Sequence, residues 1–190
     1  MFRPILAVAF AVTTSIFTFA AEPQQSDGQN KNLDVRSSVG DLHLGSDADA
    51  RKAGLPLYPA ARLRHDEKDS SALNLGLLTE AFGIKLVVAK YESDDTPAKV
   101  IDYYRERLKK FGKVLECHTH EHDGDVHSDG DTDEHSKELK CEGDNTGPVT
   151  ELKVGTENNQ HVVAIEPNKG STGSIFALVY FYDRGKRGDI

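Results

Sequence analysis

The densest chemistry in the chain lies between its two cysteines. Residues 118–136 read His-Thr-His-Glu-His-Asp-Gly-Asp-Val-His-Ser-Asp-Gly-Asp-Thr-Asp-Glu-His-Ser; they hold five of the eight histidines, seven acidic side chains and no Lys or Arg. Imidazole nitrogen suits zinc, nickel and copper, and carboxylates add oxygen ligands and attract cations. His118, His120 and His122 are spaced so that on a strand they project from one face at ~6.6 Å intervals. Neighbours there can share one ion, and His127, His135, Asp123 and Asp125 can complete a tetrahedral set by folding back. His118, His120, His122, Asp123, Asp125, His127 and His135 are therefore the candidate ligands of a Zn, Ni or Cu ion. Protons compete for such a site as pH falls through the imidazole range near ~6.5.

Other readings of the same residues compete. A polar run of this kind is also what a solvated insertion looks like, because it cannot bury a core. Asp125, His127, Asp129, Gly130, Asp131 and Asp133 fall on EF-hand positions, but the third position is His and the last, Ser136, replaces the bidentate Glu, so an EF-hand is rejected. A thiolate zinc site from Cys117, His118, His120 and Cys141 is set aside because export favours a disulfide.

Export is read from the first twenty residues. Arg3 precedes an apolar stretch, Ile5 to Phe19, that ends at Ala20-Ala21 before polar Glu22-Pro23-Gln24-Gln25, the layout of a secretory signal peptide. That stretch is shorter than the ~20 apolar residues a spanning helix needs, so no stable membrane insertion is expected after cleavage. The destination is periplasmic or secreted, an oxidising space in which Cys117 and Cys141 pair. With Cys117 opposite Cys141 in an antiparallel hairpin, His118 would face Lys140, His120 Glu138 and His122 Ser136, and Leu115, Cys117, Leu139 and Cys141 would share the core face.

The elements that must position this loop follow from periodicity. After a flexible leader over 21–32, Leu33–Arg36 and Asp41–Leu44 are expected as short strands around a turn at Ser38–Gly40. Ser46 is expected to cap a brief helix over Asp47–Ala53, stopped by Gly54. Ser71–Thr79 and Phe82–Tyr91 read as strands. Thr96 as N-cap, Pro97 and Gly112 bracket the clearest helix, with Val100, Ile101, Tyr104, Leu108 and Phe111 on one apolar stripe. Lys113–Cys117, Lys137–Glu142, Val149–Val154, His161–Glu166 and Ser174–Tyr182 are the remaining strands. The last is apolar on both faces and is expected at the centre of the sheet.

Strands run in blocks, which implies an α+β fold, a mostly antiparallel sheet packed by one main helix (about 97–111) with a long His/Asp-rich hairpin loop. At 190 residues, one domain over 33–183 with a polar tail over 184–190 is expected. The net charge is −8, which excludes a nucleic-acid binder held by phosphate contacts. There is no Gly-x-Ser-x-Gly, phosphate loop, His-Glu-x-x-His or dinucleotide fingerprint, so no catalytic residues are assigned and no enzyme is expected. His43 and His161 read as surface or packing residues on strands, and His65 has no visible partner.

Gly54-Leu55-Pro56-Leu57-Tyr58-Pro59-Ala60-Ala61 resembles a group of exported bacterial proteins that share a G-L-P-x-Y-P-G-A pattern. Asp95-Thr96-Pro97, Tyr103-Tyr104, Lys110–Cys117 and the run Glu151–Ile165 resemble further shared elements of that group. Ala60 stands where the pattern has Gly. The group has no assigned function to transfer; the resemblance implies a small scaffold that carries the His/Asp loop as an addition. The functional expectation is an exported, non-catalytic protein with a divalent-metal binding or buffering loop. The alternative is a protein-interaction or structural module of the cell envelope, with its working surface around Tyr58-Pro59 and the sheet, whose loop is a solvated insertion.

Overall fold

The computed structural model describes residues 32–64, 71–120 and 138–185. Their strands are β1 (Leu33–Ser37), β2 (Gly40–Gly45), β3 (Arg62–Leu63), β4 (Ala72–Thr79), β5 (Gly83–Ser93), β6 (Leu115–Thr119), β7 (Val149–Thr156), β8 (Asn159–Pro167) and β9 (Ser174–Asp183). They form one sheet in the order β1-β2-β4-β5-β9-β8-β7-β6, with β3 on β5, and the pairings are antiparallel. The expected α+β architecture with one main helix is thus present.

The apolar alternation explains the order. In β9, Phe176 and Leu178 point to one face and Ala177 and Val179 to the other, and all four are buried. A strand that is apolar on both sides belongs in the interior of the sheet, and β9 lies between β5 and β8. On the first face Phe176 and Leu178 pack with Val87, Ala89 and Tyr91 of β5, Val163 and Ile165 of β8, and Leu152 and Val154 of β7. The helix α1 (Pro97–Leu108) covers this face with Val100, Tyr104 and Leu108, each fully buried. The second face carries Val149, Val162, Ala164, Ala177 and Val179. It also holds a buried ion pair, Lys153 Nζ to Glu151 Oε2 at 3.1 Å.

Several local expectations are corrected. Thr96 occupies the N-cap with extended backbone, but its side chain makes no capping bond, so Pro97 at the first helical position sets the start. The α-helix ends at Leu108 and continues only as a 3-10 turn, Lys109–Phe111, before Gly112. No helix forms over 47–53. Asp49 rather than Ser46 accepts the backbone N–H of Lys52 at 2.8 Å, and a single turn closes through Leu55 N–H to Ala50 O at 2.9 Å. Helices this short lack the propagation needed to offset nucleation.

The hairpin expected between Lys113–Cys117 and Lys137–Glu142 is also overturned. β6 pairs with β7, with His118 opposite Thr150 and Cys117 opposite Glu151. Of the 137–142 segment, Glu138 forms an isolated bridge to Thr156, and Lys140 and Glu142 are exposed. β7 offers three fully buried apolar residues, Val149, Leu152 and Val154, and so a larger apolar reward for pairing than Leu139 alone.

The Gly54–Ala61 segment is fastened to the helix by tyrosine hydroxyls. Tyr104 Oη accepts from Tyr58 N–H at 3.1 Å and donates to Pro56 O at 3.2 Å; Tyr103 Oη donates to Leu57 O at 3.0 Å. Tyr58 Oη donates to Asp95 Oδ2 at 2.9 Å, and burial first, then this carboxylate, pushes the Tyr58 hydroxyl up to about 12. The turn closes from Ala61 N–H to Tyr58 O at 3.1 Å, with Pro59 second and Ala60 third at φ +58°. This is the pattern of a type II turn, whose third position favours Gly. Ala60 therefore sits in a conformation that is costly for an L side chain. Ala60→Gly is expected to stabilise the protein by about 0.5–1 kcal/mol, the relief of steric strain exceeding the added chain entropy. Urea midpoints of the two proteins check this; a lower midpoint for the glycine variant would contradict it.

Candidate functional site

Two clusters lie at opposite ends of the sheet. The first surrounds the base of the His/Asp-rich segment. Cys117 on β6 is bonded to Cys141, with Cα atoms 5.3 Å apart, as expected from export. His118 follows on the opposite face of β6, half-buried, and its backbone N–H donates to Asn145 Oδ1 at 2.6 Å. His120 is exposed just beyond the strand and helps hold the Asp144 carboxyl below its usual range, an effect led by the Thr146 hydrogen bond. Gly147 packs against this exit so closely that a Cβ would lie 1.8 Å from Thr119 O, so no other residue fits there. His118 and His120 are thus held at the mouth of a covalently closed loop. Among the described residues no group of three or more His, Cys, Asp or Glu is arranged around one point for a metal ion. His122, Asp123, Asp125, His127 and His135 lie outside the described residues.

The second cluster was not anticipated. His43 on β2 stands opposite Asp34 on β1, and its Nδ1 donates to Asp34 Oδ1 at 2.6 Å. Its Nε2 lies 3.0 Å from Asn74 Nδ2 and 3.5 Å from Asp47 Oδ1. Asn74 Nδ2 also donates to Asp47 Oδ1 at 3.1 Å, and Lys52 pairs with the same carboxylate. The Lys52 ammonium and the Asn74 amide hold the Asp47 carboxyl down at about 2. A one-residue difference in the turn decides this: a three-residue turn at Ser38–Gly40 would set Asp34 across from Leu44, whereas the observed two-residue turn, with Ser37 opposite Gly40, sets it across from His43.

Bracketed by two carboxylates, the His43 imidazole is raised above its ordinary value, the Asp34 hydrogen bond being the largest cause. A raised folded-state value means that the ion pairs contribute fully below pH ~6.5 and that the contribution is lost as pH rises through the folded-state value. The stability difference between wild type and Asp34→Asn is expected to be largest near pH 6 and to close at alkaline pH. Thermal unfolding across that range measures it, with the His43 proton resonance titrating lower in the variant. A pH-independent gap would show that the pair is electrostatically idle.

His161 behaves in the opposite way. It stacks between Phe111, 4.1 Å away, and Tyr180, 4.9 Å away, and its Nδ1 donates to Ala53 O at 3.0 Å. Burial lowers its affinity for a proton, so the neutral ring serves as packing between the 3-10 turn, the sheet and the 50–54 turn. This agrees with its reading as a satisfied packing residue.

Among the described residues no helix is long and apolar enough to cross a membrane. No protein-family model, curated protein or solved structure matches the chain.

Proposed function

We propose that this is an exported, non-catalytic protein whose residues 118–136 bind zinc, nickel or copper, for buffering or sensing the ion. The observation that carries the reading is five imidazoles and seven carboxylates within nineteen residues free of Lys and Arg, with a disulfide at the base of the segment. The donor set fits late first-row metals: neutral imidazoles supply the bonds, and the carboxylates supply charge and outer-shell partners. Closing the loop covalently lowers the ordering cost of bringing distant ligands together.

Calorimetric titration of the mature protein with zinc, nickel and copper, beside a variant with His118, His120, His122, His127 and His135 changed to Ala, tests it. The wild type is expected to bind at neutral pH and to lose affinity below pH ~6.5, where the imidazoles protonate. The variant is expected to lose most of the heat. Equal weak heats from both proteins would remove the metal reading.

A second reading is an interaction module of the cell envelope in which the segment only solvates its surroundings. Tyr58 is buried at 7% exposure, so the surface once expected around Tyr58-Pro59 is not made by that ring. The observation favouring an interaction surface lies instead at the sheet edge, where Leu33, Val35 and Leu44 share a face and are each more than two-fifths exposed.

A further inference from the structure

The strongest unassigned feature is a cleft of about 540 Å³ on the helix-side face of β1, β2, β4 and β5, beyond the reach of α1. It has the size of a small-molecule site. Its floor is a transverse row in register: Asp34 opposite His43, His43 opposite Gly76, Gly76 opposite Lys85, and Lys85 opposite Tyr182. The row has a gap at Gly76.

That gap is not required by the fold. Gly76 is paired on both sides in the interior of β4, and a Cβ built on it would meet only His43 Cβ, at 3.7 Å, an ordinary contact. Its φ is not positive. Glycine inside a strand weakens it by leaving nothing to pack, and such positions mark places where a ligand or backbone comes close. Here the space left open is bounded by Asn74 and Leu78 along β4 and by Tyr182 across the row.

Charge selects the occupant. Asp34 is engaged by His43; among the described residues Arg36 and Asp41 stand opposite each other in register without an ion pair, so their charges cancel on the cleft wall. Lys85 stands apart: its register neighbours are Gly76 and Tyr182, and its ammonium lies 5.4 Å from the Tyr180 ring centre. Among the described residues it has no carboxylate partner. From this juxtaposition of a bare strand position, a tyrosine edge and an unmatched ammonium, we infer that the cleft binds a small organic carboxylate with a flat apolar body. The body lies over Gly76 against Leu78 and Tyr182, and the carboxylate accepts from Lys85. The site is at the opposite end of the sheet from Cys117–Cys141, so it stands or falls independently of metal binding.

The probe is benzoate, with benzamide and benzylamine as its neutral and cationic counterparts, added to the isotopically labelled full mature protein and followed by amide resonances. Benzoate is expected to move the amides of Asn74–Leu78 and Lys85, and benzylamine to leave them in place. Lys85→Ala is expected to weaken benzoate about fivefold or more and to leave benzamide unchanged, as for loss of one charge-assisted hydrogen bond. Gly76→Val is expected to block both, while Gly76→Ala, whose added methyl the cleft tolerates, reports on folding. No shift at about 20 mM benzoate, or Lys85→Ala binding benzoate like wild type, would overturn the assignment. If Gly76→Val does not fold, Lys85→Glu decides instead: retained benzoate binding rejects the site.

Discussion

Replacing Phe176 by alanine is expected to lower the stability by about 4 kcal/mol, a large share of the ~5–15 kcal/mol of an ordinary domain. Phe176 is 1% exposed in the central strand β9. Its ring lies 5.7 Å from Tyr91, 5.6 Å from Tyr104 and 6.2 Å from Tyr58, and so joins the sheet, the helix and the Gly54–Ala61 segment. Truncation removes the transfer free energy of the ring and leaves a cavity that three rigid neighbours cannot collapse into. Edge and stacked contacts add about 0.5–1.5 kcal/mol per pair beyond burial. Phe176→Leu, which keeps most of the volume, is expected to cost less than half as much. Urea unfolding gives both values. Similar small losses for the two variants would mean that the aromatic cluster is not the junction of the fold. A cycle with Tyr104→Phe adds detail: the lost hydroxyl leaves Tyr58 N–H without its acceptor, a further ~1–3 kcal/mol.

The second large effect is expected from the disulfide. Cys117 and Cys141 are separated by 24 positions, and closing a loop of that length restricts the unfolded chain by about 3 kcal/mol. The double variant Cys117→Ser, Cys141→Ser should lose about that amount, seen as a lower urea midpoint. The oxidised wild type treated with reductant should fall to the same midpoint. If the metal proposal is right, the same change also weakens zinc binding, because the segment must then be ordered at the moment of binding. A variant with unaltered stability would show that the loop is constrained by other means. Unaltered stability with lost zinc affinity would place the role of the bond in the metal site alone.

The outcome separates what local pattern can and cannot specify. Strands β1, β2, β4, β5, β7, β8 and β9 are near their expected bounds because alternation and turn residues act over a few positions. The helix start at Pro97 was legible for the same reason. The short helix over 47–53 was not, because its residues do suit a helix. What they form instead is decided by Tyr91, far along the chain, whose hydroxyl accepts Ala50 N–H at 3.0 Å. The role of the Gly54–Ala61 motif was equally hidden. Its two tyrosine partners on the helix, Tyr103 and Tyr104, and its own Tyr58, which bonds Asp95, are visible as residues but not as hydrogen bonds.

Composition and spacing alone determined the fold class and the concentration of imidazoles and carboxylates in one segment, and the apolar leader pointed to the pairing of the two cysteines. Those depend on residue type and short-range period. Only the tertiary structure decided that β6 pairs with β7 rather than with the segment after the loop, and that Asp34, His43, Asn74 and Lys85 border one cleft. Both are choices between partners distant in sequence. Each competing pairing satisfies local alternation, and the deciding free energy is the apolar surface buried once the whole sheet closes.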